Sequence, residues 1–584
     1  MSAHAGSAAR RDRIVGSMLW SAWADALGFI SELTDERGLQ RRLHGHRLEA
    51  PIEWSRRVGG RYGVTMTLPA GSYSDDTQLR LATARALSSR RFDVEAFAKV
   101  EVPIWPSYAL GGGRASKAAA ANLAKTATPW FANFYEGWTN AGGNGVAMRI
   151  QPHVWAADSV ASARCLENII VDAVTTHGHP RAIAGAVLHA AALGMTLAEG
   201  TLPPVSAWSD FVGLVEATYQ LMENNSQLGS VWLPRWEHEI GSSFQAAWSQ
   251  TVKEIYWLMK RARPVVKELR RCPDAESAEA AYRRLVDELD LSEPATRGSG
   301  TATSVAAMAL ATALPDRPAL VSQIAARALG TDTDTIATMA AALCGAATSG
   351  DFPKEVQDAD YLVEQALRLA DIADGAEVAP FPYPDLLHWS APTTQLDAVG
   401  FDGESLALAG FGHLKPFVDG ETKTVRSEAW EWVRVDFGQS LLVKRRIQPR
   451  LLTVGNMPVR LPGESSGEVG QQRNGYRKWW TARSQSNADK IGDTKGNAGT
   501  LSLSPQADAR PVHDEKNQAK KVDVDQMLAW VKSEGYTDRA VAYAIRRVAL
   551  LGTQEQYESF ADGLRRTLRS AAASSSSEVD RKEG

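Results

Sequence analysis

From Arg11 to about Ala370, alanine and leucine recur at helical spacing, in stretches such as QLRLATARALSS, RAIAGAVLHAAALGMTLAEG and TSVAAMALATAL set apart by Gly- and Pro-marked turns. Small side chains let helices approach closely. No sustained heptad runs through these stretches, so the pattern predicts a compact all-α globule and not an elongated coiled coil. No strand alternation stands out within it, and no fixed-period repeat is visible. The whole chain, at 584 residues, exceeds one ordinary domain.

Texture marks the divisions. Residues 11–375 read as one multi-helix unit, within which 201–293 is a helical elaboration richer in aromatic and charged residues. Residues 376–482 form an accessory region: prolines 380, 382, 384 and 392 open it, and SEAWEWVRVDFGQSLLVKRRIQPRLLTV carries the β-branched and aromatic runs of a few strands. Residues 483–521 are rich in Ser, Asn, Gly, Lys and Asp and predict a disordered linker. Residues 522–571 are an amphipathic helical segment, and 572–584 a disordered tail. The fold class expected is therefore all-α, a compact multi-helix core with a small mixed or β-containing C-terminal region and a terminal helical segment.

A hydrophobic share of 44% and a charged share of 23% belong to a folded soluble chain. The net charge of −4 gives no global attraction to nucleic acid or membrane, so such a partner needs a local patch. Cys165, Cys272 and Cys344 are far apart and lack metal-ligand spacing, so neither a disulfide framework nor a zinc site is supported. No apolar run approaches the roughly 18 residues that span a bilayer, so a cytoplasmic location without membrane association is expected.

Two acidic clusters carry the chemistry. Ser74-Asp75-Asp76-Thr77 stands directly before one apolar helical run, and Gly330-Thr331-Asp332-Thr333-Asp334-Thr335 before another. Singly, each reads as a helix cap, because Ser or Asp there satisfies free N–H groups and suits the helix dipole. Together they read differently. Four carboxylates brought together would repel severely without cations, and their hard oxygens suit Mg²⁺ or Mn²⁺. Asp25, in the apolar run AWADALGF, is a further anomaly: a buried carboxylate needs a partner, and bracing a helix end is the role expected of it.

The chain resembles the ADP-ribosylglycohydrolase family, which includes the dinitrogenase-reductase-activating glycohydrolases and the ADP-ribosyl-arginine and ADP-ribosyl-serine hydrolases. The resemblance is carried, in order, by GSMLWSAWADALGFISE (16–32), SDDTQL (74–79), GNGVAMRIQP (143–152), THGHP (176–180), RGSGTATSVAAMALATAL (297–314) and GTDTDTIATMAAALCGA (330–346). It covers roughly residues 11–375 and marks them as the catalytic domain. It implies two Mg²⁺ ions, or Mn²⁺ in their place, held by Ser74, Asp75, Asp76, Asp332, Asp334 and Thr335. Asp75, Asp76, Asp332, Asp334 and Glu32 would be the catalytic carboxylates, the general base lying in either aspartate pair and Glu32 on a loop that closes over the metals. Gly142, Gly143, Asn144 and Gly145, His177, and Gly298, Ser299 and Gly300 would line the ligand, the glycines allowing positive φ and close backbone approach; His177 would touch ribose or hold the glycine loop. Gly111-Gly112-Gly113 before a helix is a weaker candidate for phosphate.

The implied activity is metal-dependent hydrolysis of an ADP-ribosyl linkage on a modified macromolecule, by attack of water at the distal ribose. A protein side chain such as arginine is the default acceptor. ADP-ribosylated nucleic acid is an alternative, with Lys444-Arg445-Arg446, Arg450 and Trp430, Trp432, Trp479 and Trp480 as its possible contacts, beside the plainer reading of a solvated basic strand. A non-catalytic ADP-ribose sensor or toxin-blocking immunity-type protein is the other alternative. Three positions depart from the family pattern: Thr331 for a glycine, Ala141 for a serine and Thr301 for an aromatic. All border the ligand pocket, so the resemblance does not carry the substrate class over.

Overall fold

The helix Ser2–Ser31 is buried without a break from Ile14 to Ser31, and the fold is assembled around it. The computed structural model describes residues 2–459 apart from 90, 349, 351 and 418–420, then residue 476 and parts of 524–566. The predicted linker 483–521 and tail 572–584 lie outside the described residues. Residues 1–494 form one compact unit and 495–584 a second.

Glycines set the central crossing. The helix Thr333–Ala347 lies on Ser2–Ser31 so closely that a Cβ on Gly16 would stand 2.4 Å from the Gly345 carbonyl oxygen, and one on Gly28 2.5 Å from Asp334 Cα. Helices Pro180–Glu199 and Gly300–Ala313 meet the same way, a Cβ on Gly185 falling 2.2 Å from the Gly300 oxygen. Side-chain bulk is thus excluded where backbones touch. Segments 8–31 and Pro180–Glu199 are each long and apolar enough to cross a bilayer, contrary to the sequence expectation. Alanine supplies much of that hydropathy, and the apolar windows are 100% and 78% buried against other helices.

The sequence expectation of no strands within 11–375 is corrected by a hairpin. Strands β1 (Trp54–Val58) and β2 (Val64–Leu68) pair antiparallel from Trp54↔Leu68 to Val58↔Val64. β2 alternates buried and exposed residues as Val-Thr-Met-Thr-Leu, a five-residue signal flanked on both sides by much longer helical ones. The glycines 59, 60 and 63 build its turn.

The C-terminal part of the first unit is a six-stranded antiparallel sheet, β3 (Val399–Phe401), β4 (Leu406–Leu408), β5 (Gly412–Pro416), β6 (Lys423–Val425), β7 (Glu428–Val435) and β8 (Ser440–Arg446). Its order is β3-β4-β5-β7-β6, with β8 also on β7. Val399, Leu408, Val433, Leu441 and Val443 share one apolar cluster with Leu79, Val100, Trp105 and Tyr108 of the helical part. Beneath it, the buried Arg85 guanidinium grips Glu101 at 2.7 Å and Gln439 at 2.7 Å. The sheet and the helices therefore share a core.

The elaboration 201–293 has an aromatic centre: Phe244 packs edge-on against Trp232 and Trp236 at 5.2 and 4.9 Å, and Trp232 meets Trp138 of the main body at 5.3 Å. Trp208 and Trp248 are buried in the same part. In the second unit, helix Val524–Ser533 contributes Val531 to a small core with Ala544, Val548, Phe560 and Leu564.

Candidate metal centre and ligand loops

Ser74 caps the helix Asp75–Arg85, its hydroxyl accepting from Asp76 N at 3.2 Å, so two consecutive carboxylates begin the helix as the local sequence requires. Asp332 stands at the N-cap position of Thr333–Ala347 without a side-chain capping bond, its carboxylate accepting from Asn144 instead. The fold brings the two helix starts together. Thr335 Oγ1 donates toward both oxygens of Asp76, at 3.2 and 3.1 Å, and ligand oxygens of Asp25, Asp76 and Asp334 lie within 4.8 Å of one another. All three are buried. Asp25 accepts from Ser74 N at 3.0 Å and from Thr77 N and Oγ1 at 2.9 and 2.6 Å, which pins the start of the first acidic helix to the central one.

Electrostatics identify what the cluster lacks. Burial pushes Asp75 up to about 8, with Glu32 and Asp25 adding to the effect and Lys117 opposing it. Asp76 and Asp334 lie well above the usual carboxylate range, first through burial and then through neighbouring carboxylates. Burial likewise raises Asp25. The buried cation beneath them is Arg80, which stays charged with its value lowered to about 10, and its hydrogen bonds go to Ser21, Thr77, Gln151, Thr338 and the Met148 carbonyl. One guanidinium does not balance four carboxylates. An all-oxygen donor set, buried and short of positive charge, fits hard divalent cations.

Glu32 follows the end of the central helix, and Arg56 on β1 reaches its Oε2 at 3.3 Å while lying 4.4 Å over the Phe29 ring. Burial raises Glu32; Arg56 works against that and the Asp332 charge reinforces it. The next residue, Leu33, is 73% exposed with φ of 49°. Behind the hairpin, Trp432 Nε1 on β7 donates to the Thr67 carbonyl at 3.0 Å and Lys423 to Thr65 at 2.9 Å. The sheet thus backs the strand pair that holds Glu32.

The glycine loop docks on the loop before Gly300–Ala313. Asn144 N donates to the Gly298 carbonyl at 2.8 Å, Gly300 N to Gly142 at 3.0 Å, and Gly143 bridges Ser299. Asn144 Nδ2 also holds Asp332 Oδ2 at 2.9 Å, coupling this loop to the acidic cluster. None of Gly142, Gly143 or Gly145 has a positive φ, which corrects the expectation; close approach is what requires them. A Cβ on Gly145 would meet the His177 ring at 3.1 Å, and one on Gly142 the His179 ring at 3.2 Å. His177 is buried behind the loop, and burial with Arg149 alongside lowers it to about 3, so its ring is neutral. Gly111, at φ 116°, comes so near Asp75 that a Cβ would lie 2.4 Å from Oδ1.

Several residues here escaped the sequence reading. Gly28 and Arg56 carry no local signature, and Gly111, read in the sequence only as part of a phosphate-loop candidate, is required by its approach to Asp75. Arg149 and Asp172 do, being charges inside apolar runs like Asp25: Arg149 Nε binds Asp172 at 2.8 Å and its Nη1 the Gly145 carbonyl at 2.9 Å. Thr301, a departure from the family pattern, donates to Glu254 at 2.6 Å, and Arg181 donates to the same carboxylate at 2.8 Å, so the elaboration is tied to the starts of Pro180–Glu199 and Gly300–Ala313. The basic cluster proposed for nucleic acid is instead internally paired. Lys444 meets Glu428, Arg445 meets Glu431, and Arg446 and Arg450 meet Asp397, while Trp430 and Trp432 are buried. Trp479 and Trp480 lie outside the described residues.

A family model described as ADP-ribosylglycohydrolase matches residues 6–378. Among solved structures, an "ADP-ribosylglycohydrolase-related protein complex" aligns with 21% identity over 62% of this chain and 99% of that one, at a TM-score of 0.37. No curated protein matches the chain.

Proposed function

Since the chain belongs to the ADP-ribosylglycohydrolase family, whose activity is ADP-ribosyl hydrolysis, we propose that it releases ADP-ribose from a modified macromolecule in a reaction that needs divalent cations. The observation that carries this reading is the convergence of Asp25, Asp76 and Asp334 oxygens within 4.8 Å, beside a glycine loop that Asn144 fastens to Asp332. Ser74, Asp75, Asp76, Asp332, Asp334 and Thr335 would hold the cations, Mg²⁺ before Mn²⁺, and Asp25 would brace their backbone from behind. Bound there, such cations supply Lewis-acid polarisation and neutralise charge during attack of water on the distal ribose.

The protein's own groups do the rest. The N–H groups of Gly142, Asn144, Ser299 and Gly300 hold the loops themselves, which leaves those of Gly143, Gly145 and Gly298 to meet the pyrophosphate and ribose. A carboxylate of the Asp75–Asp76 or the Asp332–Asp334 pair takes the proton of the attacking water, and the remaining negative charge stabilises the oxocarbenium-like sugar as the acceptor departs. Glu32, held by Arg56, closes the side facing solvent. Free ADP-ribose released from an ADP-ribosylated protein panel would be measured with Mg²⁺, with EDTA, and for D332N/D334N. Release in Mg²⁺ alone, abolished in the double variant, is expected; equal release in EDTA would sink the metal-dependent reading.

A further inference from the structure

The helix Phe244–Leu269 of the elaboration has two unlike faces. Val252, Ile255, Leu258, Met259, Ala262, Val265, Val266 and Leu269 are buried. Lys253, Trp257, Lys260, Pro264 and Lys267, spaced alternately four and three residues apart, form an exposed seam on the other side, with Tyr256 next to Trp257. Trp257 is 55% and Tyr256 47% exposed, and the Lys260 ammonium lies 4.4 Å from the Trp257 ring. The three lysines recur every seven residues, about 10 Å apart along the axis. None is ion-paired with a carboxylate among the described residues, whereas the acids flanking the seam are neutralised: Glu254 by Arg181 and Glu268 by Arg284.

The seam begins at the site. Glu254, next to Lys253, accepts from Thr301, whose hydroxyl lies 3.0 Å from that of Ser299 in the ligand loop. Arg261 pairs with Asp290 at 3.0 Å. These two contacts lay the segment 290–301 alongside 254–261, and that segment presents exposed Arg297 immediately before Gly298. Cations and two exposed aromatic rings therefore lead up to the ligand loops, with Glu293 an exposed acid in the same segment as Arg297, on a chain whose net charge is −4.

We propose that this seam binds the acceptor, and that the acceptor is a nucleic-acid strand with unpaired bases: the lysines and Arg297 contact phosphates and Trp257 stacks on a base. Regular cation spacing matches a periodic polyanion, and an exposed tryptophan beside it supplies sequence-tolerant stacking. The proposal rests on the hydrolase reading above and names its substrate class, in the place the paired cluster 444–450 does not fill.

The test uses the full chain and a labelled single-stranded DNA of about 20 nucleotides, with and without an ADP-ribosyl group, in a salt series followed by anisotropy. K253S/K260S/K267S is expected to weaken binding at least tenfold at low salt and to flatten the slope of log affinity against log salt by about 2, near 0.7 per lost phosphate contact. W257A is expected to weaken it about tenfold with the slope kept. Hydrolysis of a small ADP-ribosyl substrate by both variants should equal wild type, while KM for the ADP-ribosylated oligonucleotide rises. Oligonucleotide binding unchanged in the triple variant, or an acidic peptide of equal charge competing as well as DNA, would overturn the proposal and leave the hydrolase reading standing. Failure of wild type to hydrolyse the small substrate would sink that reading instead, while the binding series still decides the seam.

Discussion

Replacing Gly28 with alanine should damage both folding and activity, although alanine is the better helix former. In the interior of a helix the exchange by itself stabilises by about 1 kcal/mol. At Gly28 the added Cβ would stand 2.5 Å from the Thr333 oxygen and Asp334 Cα and 2.7 Å from Asp334 N, all backbone atoms that no rotamer change removes. Ordinary contact is about 3.5 Å, so the start of the Thr333–Ala347 helix must retreat by about 1 Å. Overpacking of this kind costs about 1–3 kcal/mol or more, which outweighs the propensity gain. The same retreat carries Asp332 and Asp334 away from Asp76, and a misplacement of about 1 Å reduces turnover on the order of 100-fold. Gly213 is the control, being exposed on Trp208–Asn224 with nothing within 4 Å of its added Cβ. Urea midpoints and ADP-ribose release would be compared for wild type, G28A and G213A. G28A is expected to fall and G213A to rise by about 1 kcal/mol; G28A matching wild type in both stability and rate would refute the close-packed crossing as the device that places the second acidic cluster.

The stability conferred by Mg²⁺ should grow with pH. Burial and the Glu32 and Asp25 charges hold Asp75 up to about 8 against an ordinary value of 3.8. Between those values the unfolded chain has released a proton that the metal-free fold retains, so stability in EDTA declines as pH rises through that window. Thermal midpoints in EDTA and in saturating Mg²⁺ from pH 5 to 8 check this, and a metal effect independent of pH would contradict it. Arg149→Met is expected to cost about 3–5 kcal/mol, because Asp172 is left buried without its guanidinium, and to raise KM because the Gly145 carbonyl loses its anchor. A loss under about 1 kcal/mol in urea unfolding would show that His153 and Thr83, each 3.0 Å from Asp172, suffice to hold it.

Much of this site could be read along the chain because its chemistry is local. Ser74-Asp75-Asp76 and Asp332-Thr333-Asp334 had to stand at helix starts, since each precedes an apolar helical run and each cluster contains a capping residue. Asp25 stood out as a carboxylate in an apolar run, and it braces a helix end as that anomaly implied. The hairpin did not stand out, because five-residue strands give a weak periodic signal. The basic run near 444 misled for a complementary reason: its carboxylate partners, Glu428, Glu431 and Asp397, come from other strands and loops, so a solvated patch and a neutralised one look alike in sequence.

Helical periodicity, small residues and two acidic motifs at helix starts were determined by the sequence alone, because each depends on neighbours within a few turns of the chain. Only the tertiary structure decided that Gly28 and Gly345 would be touched by another helix, that Arg56 would reach Glu32, and that Asp25, Asp76 and Asp334 would share one buried space. Those facts depend on residues as many as 329 positions apart, such as Gly16 and Gly345, meeting in space, and packing is what fixes such meetings.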